Sequence, residues 1–241
     1  MSVFADLVDR LADLLQPLFG AGAAAAAIIL FTALVRLLVH PLSRAAARGQ
    51  KARTALQPRI AELRGKHRKD PEKLRKAVLE LHAEERVSPL SGTLPGLLQV
   101  PAFFLLYHLF SSTTIDGRPN ALLGHRLFAA PLGDRWADAL SAGGPFGDAG
   151  LVYLGVFTVV AAVAAFNYRR TRRTTAASPV ARVAEGASEG ERVPGLGAVT
   201  RVLPFMSFLT LVTVAVMPLA AALYVVTSTT WSAVERAVLY R

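Results

Sequence analysis

The sequence predicts an all-α polytopic membrane protein with five transmembrane helices plus a cytoplasmic helical hairpin. Three observations predict it: long uncharged apolar blocks, two helical stripes inside one charged stretch, and basic residues confined to alternate connections. The 241 residues are 53% hydrophobic and only 18% charged, with a mean hydropathy of +0.40. About 20 uncharged residues in a helix cross a hydrocarbon core of roughly 30 Å. Backbone groups in lipid must pair internally, so such blocks are expected to be helical.

In chain order, residues 1–20 place Phe4, Leu7, Leu11, Leu14 and Leu18 at helical spacing against Asp6, Asp9, Arg10 and Asp13. That pattern predicts an extracytoplasmic amphipathic helix lying at an interface. Its acidity and single base do not suit a cleaved secretory signal. Residues 21–43 form the first span, with Pro41 where the helix should leave the membrane. Residues 44–87 are too polar to cross. Leu56, Ile60 and Leu63, then Leu74, Val78 and Leu81, repeat at i, i+4, i+7, which predicts two amphipathic helices folded as a cytoplasmic hairpin. Between them Asp70 can cap a helix that starts at Pro71.

Residues 90–111 form the second span, with Pro95 and Pro101 inside it; 112–149 form an extracytoplasmic loop rich in Gly, Pro and Asp; 150–168 form the third span. A cytoplasmic loop covers 169–198. The 33 residues from Val202 to Val234 carry no charge. As one helix they would reach about 50 Å, too long for one crossing. Met217-Pro218 divides them into a short fourth span, 199–216, and a fifth, 218–236, before a short tail, 237–241.

The net charge of +10 could suggest nucleic acid. Its distribution argues for orientation instead. The 44–86 and 169–201 segments and the C-terminus hold 22 Lys/Arg, whereas the N-terminus and the 114–149 loop hold 4 bases and seven acids. Five spans with the N-terminus outside and the C-terminus in the cytoplasm satisfy the positive-inside rule.

Little chemistry is on offer. No cysteine is present, so disulfides, thiolate catalysis and a lipid-modified N-terminal Cys are excluded. No phosphate-binding loop occurs, and the five histidines show no metal-ligand spacing. His108 and Ser111 lie one turn apart without an activated-serine motif. Acids are absent from the apolar stretches, which weakens a proton-coupled transporter. No catalytic residue, metal or cofactor is expected. Arg36 is the exception, because a guanidinium within a span costs roughly 2.5–3.5 kcal/mol on insertion scales. Its place in the sequence allows a water-filled cavity or snorkelling to the nearby surface.

Four stretches resemble the YidC family of membrane protein insertases, in its short bacterial form without a large extracytoplasmic domain. They are Thr32 to Leu42 around Arg36, Leu56-Gln57-Pro58 with Lys69 to Leu74, Ser88 to Pro101, and Pro218 to Tyr224 with Thr227, Ser228 and Trp231. Val225 and Thr229 depart from the Trp and Asn common there. The resemblance implies insertion of hydrophobic segments of new proteins through a hydrophilic groove, without nucleotide hydrolysis. It favours the cavity for Arg36, with Gln99, Thr227, Ser228 and Trp231 as further lining. Arg59, Arg64, Lys66, Lys69 and Lys73 of the hairpin become candidate contacts. Expected partners are nascent membrane proteins and the lipid bilayer, with the Sec translocon, a targeting factor and the ribosome as candidates; DNA is not expected, and the chain is expected to be a monomer in the bacterial plasma membrane. The alternatives are a small secondary transporter or channel for an anionic solute, and a structural assembly subunit.

Overall fold

A computed structural model describes residues 2–68, 70–85, 87, 94–176 and 202–239, and these are mostly helical. Part of the 169–198 loop, Lys69, residues 88–93 and the last two residues of the tail lie outside the described residues. The chain divides into two compact units, one of Met1–Ala33 with Leu106–Val234, the other of Leu34–Leu105 with Glu235–Arg241.

In the first unit, helix α1 (Ser2–Phe19) buries Val8 and Ala12 and leaves Leu7, Leu14 and Leu18 exposed. After a 3-10 turn at Gly20–Gly22, α2 (Ala23–Lys66) begins with buried Ala24, Ala27, Ile28 and Phe31. Helix α7 (Asp148–Ala176) carries a long apolar run. Tyr168 near its end packs on Phe205 at 5.1 Å and Phe208 at 6.0 Å between ring centroids.

Phe205 and Phe208 belong to a 3-10 stretch, Leu203–Phe208, that leads into helix α8 (Leu209–Val216). The chain breaks at Met217-Pro218, and helix α9 follows (Leu219–Leu239). A 3-10 helix rises about 2.0 Å per residue against 1.5 Å in an α-helix. The 3-10 stretch therefore lengthens an otherwise short apolar segment. Helix α9 buries an unbroken run, Leu219 to Val225.

The connection between α4 (Leu94–Ser111) and α7 is a folded cap. It holds hairpin β1–β2 (Thr114–Ile115, Arg118–Pro119), helix α5 (Ala121–Gly124), hairpin β3–β4 (Arg126–Leu127, Ala130–Pro131) and helix α6 (Trp136–Gly143). Asp116 and Gly117 both have positive φ, 49° and 78°, the backbone of a tight two-residue hairpin turn. The 112–149 loop read from sequence thus carries short elements of its own.

In the second unit, α2 continues through Pro41 and Pro58 to Lys66. Its 44 residues span about 66 Å, so the polar half extends far beyond any roughly 30 Å core. Pro41 therefore does not end the helix; the carbonyl it frees costs little where water can reach it. Helix α3 (Pro71–Glu84) folds back on α2 through a core of Leu56, Ile60 and Leu81, with Leu63, Val78 and Val87 packed against it. Asp70 caps α3 by accepting from the Lys73 N–H at 3.0 Å, and Arg59 pairs with Glu85 across the hairpin.

The fifth span as bounded from sequence, 218–236, already includes one acid, Glu235, and it lies inside α9. Among the described residues two helical segments are long and apolar enough to cross a membrane, Val3–Lys66 and Asp148–Arg173, and Val100–Ser111 and Pro204–Val216 are shorter apolar helices. Leu37, Leu38, Phe104, Leu151, Val212 and Val216 are large, apolar and exposed. Helices with exposed apolar sides like these suit a lipid solvent.

Two predictions follow from the hairpin. Leu81→Ala removes the contact that α3 makes with both Leu56 and Ile60 and should cost about 2–4 kcal/mol; hydrogen exchange of the α3 amides should accelerate while α7 keeps its protection. The Asp70 carboxyl is held below its usual 3.8 by the Lys73 N–H and then the Lys73 side chain. A lowered folded pKa means the cap's stabilisation is present above pH 3.8 and lost as pH falls through the lowered value. The first turn of α3 should therefore fray in acid, and in Asp70→Asn that fraying should no longer follow pH.

Candidate functional site

Arg36 sits on α2 and is half-buried, one turn before His40 on the same helical face. Thr32, a turn earlier, is fully buried and its hydroxyl donates to the Ile28 carbonyl at 2.7 Å. The apolar run thus holds a half-buried guanidinium while Leu34, Leu37 and Leu38 around it are exposed.

Gln99 lies on α4, in the same unit as Arg36; its side chain is outside the described residues. Thr227, Ser228 and Trp231 lie on α9 in the other unit, within one turn of each other. The Thr227 hydroxyl donates to the Leu223 carbonyl at 2.8 Å, so its polarity is largely spent on its own helix. Ser228 is buried. The Trp231 Nε1 is buried with no acceptor among the described residues. Of the hairpin residues, Arg59 is paired with Glu85 and Lys73 reaches Asp70 at 3.0 Å, whereas Arg64 and Lys66 are exposed.

The His108 and Ser111 pair of the sequence is not brought together. The Ser111 hydroxyl donates to the Tyr107 carbonyl at 2.6 Å, and His108 Nδ1 instead lies 3.0 Å from Ser112 Oγ. Among the described residues no group of three His, Asp or Glu is placed to hold a metal.

Sequence reasoning missed two arrangements. His40 Nδ1 donates to Glu235 Oε1 at 2.5 Å, joining α2 to α9 across 195 residues. The available signal was a lone acid at the end of a long uncharged run. The second arrangement closes one end of the first unit. Asn120 is buried and its Nδ2 donates to the carbonyls of Leu109 at 2.9 Å and Ser112 at 3.0 Å, satisfying the end of α4. The first N–H groups of α9 are satisfied in turn. Leu219 N–H donates to the Asp134 carbonyl at 2.9 Å and Ala220 N–H to the Leu132 carbonyl at 2.8 Å. The Tyr153 hydroxyl from α7 donates to the same Asp134 carbonyl at 2.5 Å, beneath Trp136 and Phe157. Helix ends that water does not reach need such partners.

Lipid-length apolar helices, a basic helical hairpin and a half-buried arginine define a helical protein of the membrane type. The model of the 60Kd inner membrane protein family matches residues 14–241. The chain belongs to that family. It is 41% identical over 98 residues to the membrane protein insertase YidC of Clostridium perfringens, covering 40% of this chain and 41% of that one. To the YidC insertase of Pelodictyon phaeoclathratiforme it is 30% identical over 154 residues, 61% of this chain and 24% of that protein. To that of Francisella tularensis subsp. novicida it is 46% identical over 81 residues, 34% and 15% of the two chains. The chain thus spans less than half the length of the curated relatives it matches.

The capping network gives a prediction. Asn120→Ala leaves two carbonyls short of a donor and should cost about 1–3 kcal/mol. Asn120→Asp should be no better, since a carboxylate cannot donate. Thermal unfolding in detergent reads both; an unchanged midpoint for either would refute the role of the amide.

Proposed function

We propose that this chain is a membrane protein insertase that moves hydrophobic segments of newly made proteins from the cytoplasm into the bilayer, through a hydrophilic groove and without nucleotide hydrolysis or catalysis of a covalent step. The observation that carries the reading is Arg36, a half-buried guanidinium within an apolar helix, in a family whose similar members are named insertases. The costly step of insertion is taking a polar segment past hydrocarbon. A wet concavity part-way through the bilayer shortens that dry path. Arg36 then attracts acidic residues of the client's translocated tail, and the low local dielectric strengthens the attraction. The client's apolar segment passes into lipid and its burial drives the step.

In this reading five spans run with the N-terminus outside and the C-terminus in the cytoplasm, which the charge distribution supports. Gln99, Thr227, Ser228 and Trp231 are, in this reading, further polar or aromatic residues that a client meets. The hairpin, with Arg59, Arg64, Lys66, Lys69 and Lys73, meets the client, a targeting factor, the ribosome or the Sec translocon. The folded cap at 112–147 lies on the outer side, and the chain works as a monomer.

Insertion of single-span clients with acidic tails into reconstituted vesicles tests this. Arg36→Glu should lower insertion by about tenfold or more, while Arg36→Lys should retain most of it. Equal activity of the two variants would overturn the electrostatic role.

A further inference from the structure

The contact between His40 and Glu235 has no part in the groove as proposed, yet it sits where it can govern Arg36. We propose that the His40–Glu235 pair is a clasp that fixes the rotation of α2 about its axis and so aims Arg36; the proposal rests on the insertase reading. His40 and Glu235 are positioning residues, acting on a client only through Arg36.

Four observations carry it. The pair is close, 2.5 Å from Nδ1 to Oε1, and largely shielded, the side chains being 33% and 12% exposed. A carboxylate this covered is unfavourable without a partner, so the contact is strongly directional. Both residues lie where apolar sequence gives out: Arg44 is the first base after His40, and Glu235 follows the 33 uncharged residues from Val202. Arg36 and His40 are spaced i, i+4 and share one face of the helix. Fixing the direction of one therefore fixes that of the other.

The fourth observation concerns what happens without the clasp. Pro41 follows His40 directly, and proline removes an N–H from the helix ladder. Resistance to bending and twisting is reduced there, so a side-chain tie next to it has a direct effect. The neighbours on other faces, Leu37 and Leu38, are 57% and 78% exposed. A rotation by one residue, about 100°, would turn Arg36 to where Leu37 now points. An arginine turned to an apolar, lipid-facing side is one that a client's acidic tail cannot use.

Because the chain has no cysteine, single-thiol reporters at Arg36→Cys and Leu38→Cys are clean. Each is placed in membranes with the clasp intact, with Glu235→Ala, with Glu235→Asp, and with the reversed pair His40→Glu plus Glu235→Lys. A water-soluble maleimide reads the labelling rates. The ratio of labelling at 36 to that at 38 should fall about fivefold in Glu235→Ala and return within about twofold for Glu235→Asp and the reversed pair. Insertion of an acidic-tailed client, measured with Arg36 present, should follow the same order. A ratio unmoved by Glu235→Ala overturns the clasp, as does a reversed pair no better than Glu235→Ala. Slow labelling at 36 with the clasp intact would sink the groove reading instead, while the change in ratio still decides the clasp.

Discussion

A backbone amide or carbonyl inside hydrocarbon has no water to bond, and the fold is arranged around that constraint. It makes the long segments helical and leaves only helix ends and proline sites as liabilities. At the Met217-Pro218 break the liability falls on the N-terminus of α9. The carbonyls of Leu132 and Asp134 meet it from the connection between α4 and α7. Asn120 does the same for the carbonyls at the end of α4, using one amide for two acceptors. The connection between α4 and α7 is therefore a set of hydrogen-bond partners delivered to helix termini, with buried Leu122, Leu132 and Ala139 holding it in place.

Charge is handled by the same logic at the other unit. The hairpin is basic and outside the apolar runs, so its ion pairs Arg59–Glu85 and Lys73–Asp70 are well solvated and contribute little energy each. Its stability rests on the small apolar core of Leu56, Ile60 and Leu81. Arg36 and Glu235 are different: Arg36 stands inside an apolar run of α2, and Glu235, on α9, closes an uncharged run of 33 residues, next to Arg236. Each is unfavourable to bury alone, and such residues mark function or a specific tie more often than bulk stability.

Much of this was legible in the sequence, and the reason is local. Helical repeats at Leu56/Ile60/Leu63 and at Val78/Leu81 report a packed face because the period is intrinsic to the helix. Asp70-Pro71 reports a helix start because cap and ring chemistry act within three residues. Met217-Pro218 marks a break for the same reason. What the sequence did not yield is long-range. Nothing near His40 signals a partner 195 residues away, and a carbonyl such as that of Asp134 has no side-chain signature at all. The Asp116-Gly117 hairpin was readable as a turn dipeptide, yet a Gly- and Pro-rich neighbourhood masked it. Gln99 and the two polar residues of α9 near Trp231 stay harder, since a Thr or Ser hydroxyl can be absorbed by its own helix, as at Thr227.

The uninterrupted course of α2 has a mechanical consequence. From Arg36 to Ile60 the backbone is one continuous helix about 36 Å long, so the packed hairpin and the half-buried arginine are two points on the same element. A partner that docks on the hairpin and tilts it by a few degrees moves the rod by an ångström or more at its far end, with Pro41 and Pro58 as the places that can yield. A tilt at the hairpin end of α2 would in this way become a small displacement at the Arg36 end, with no loop between them.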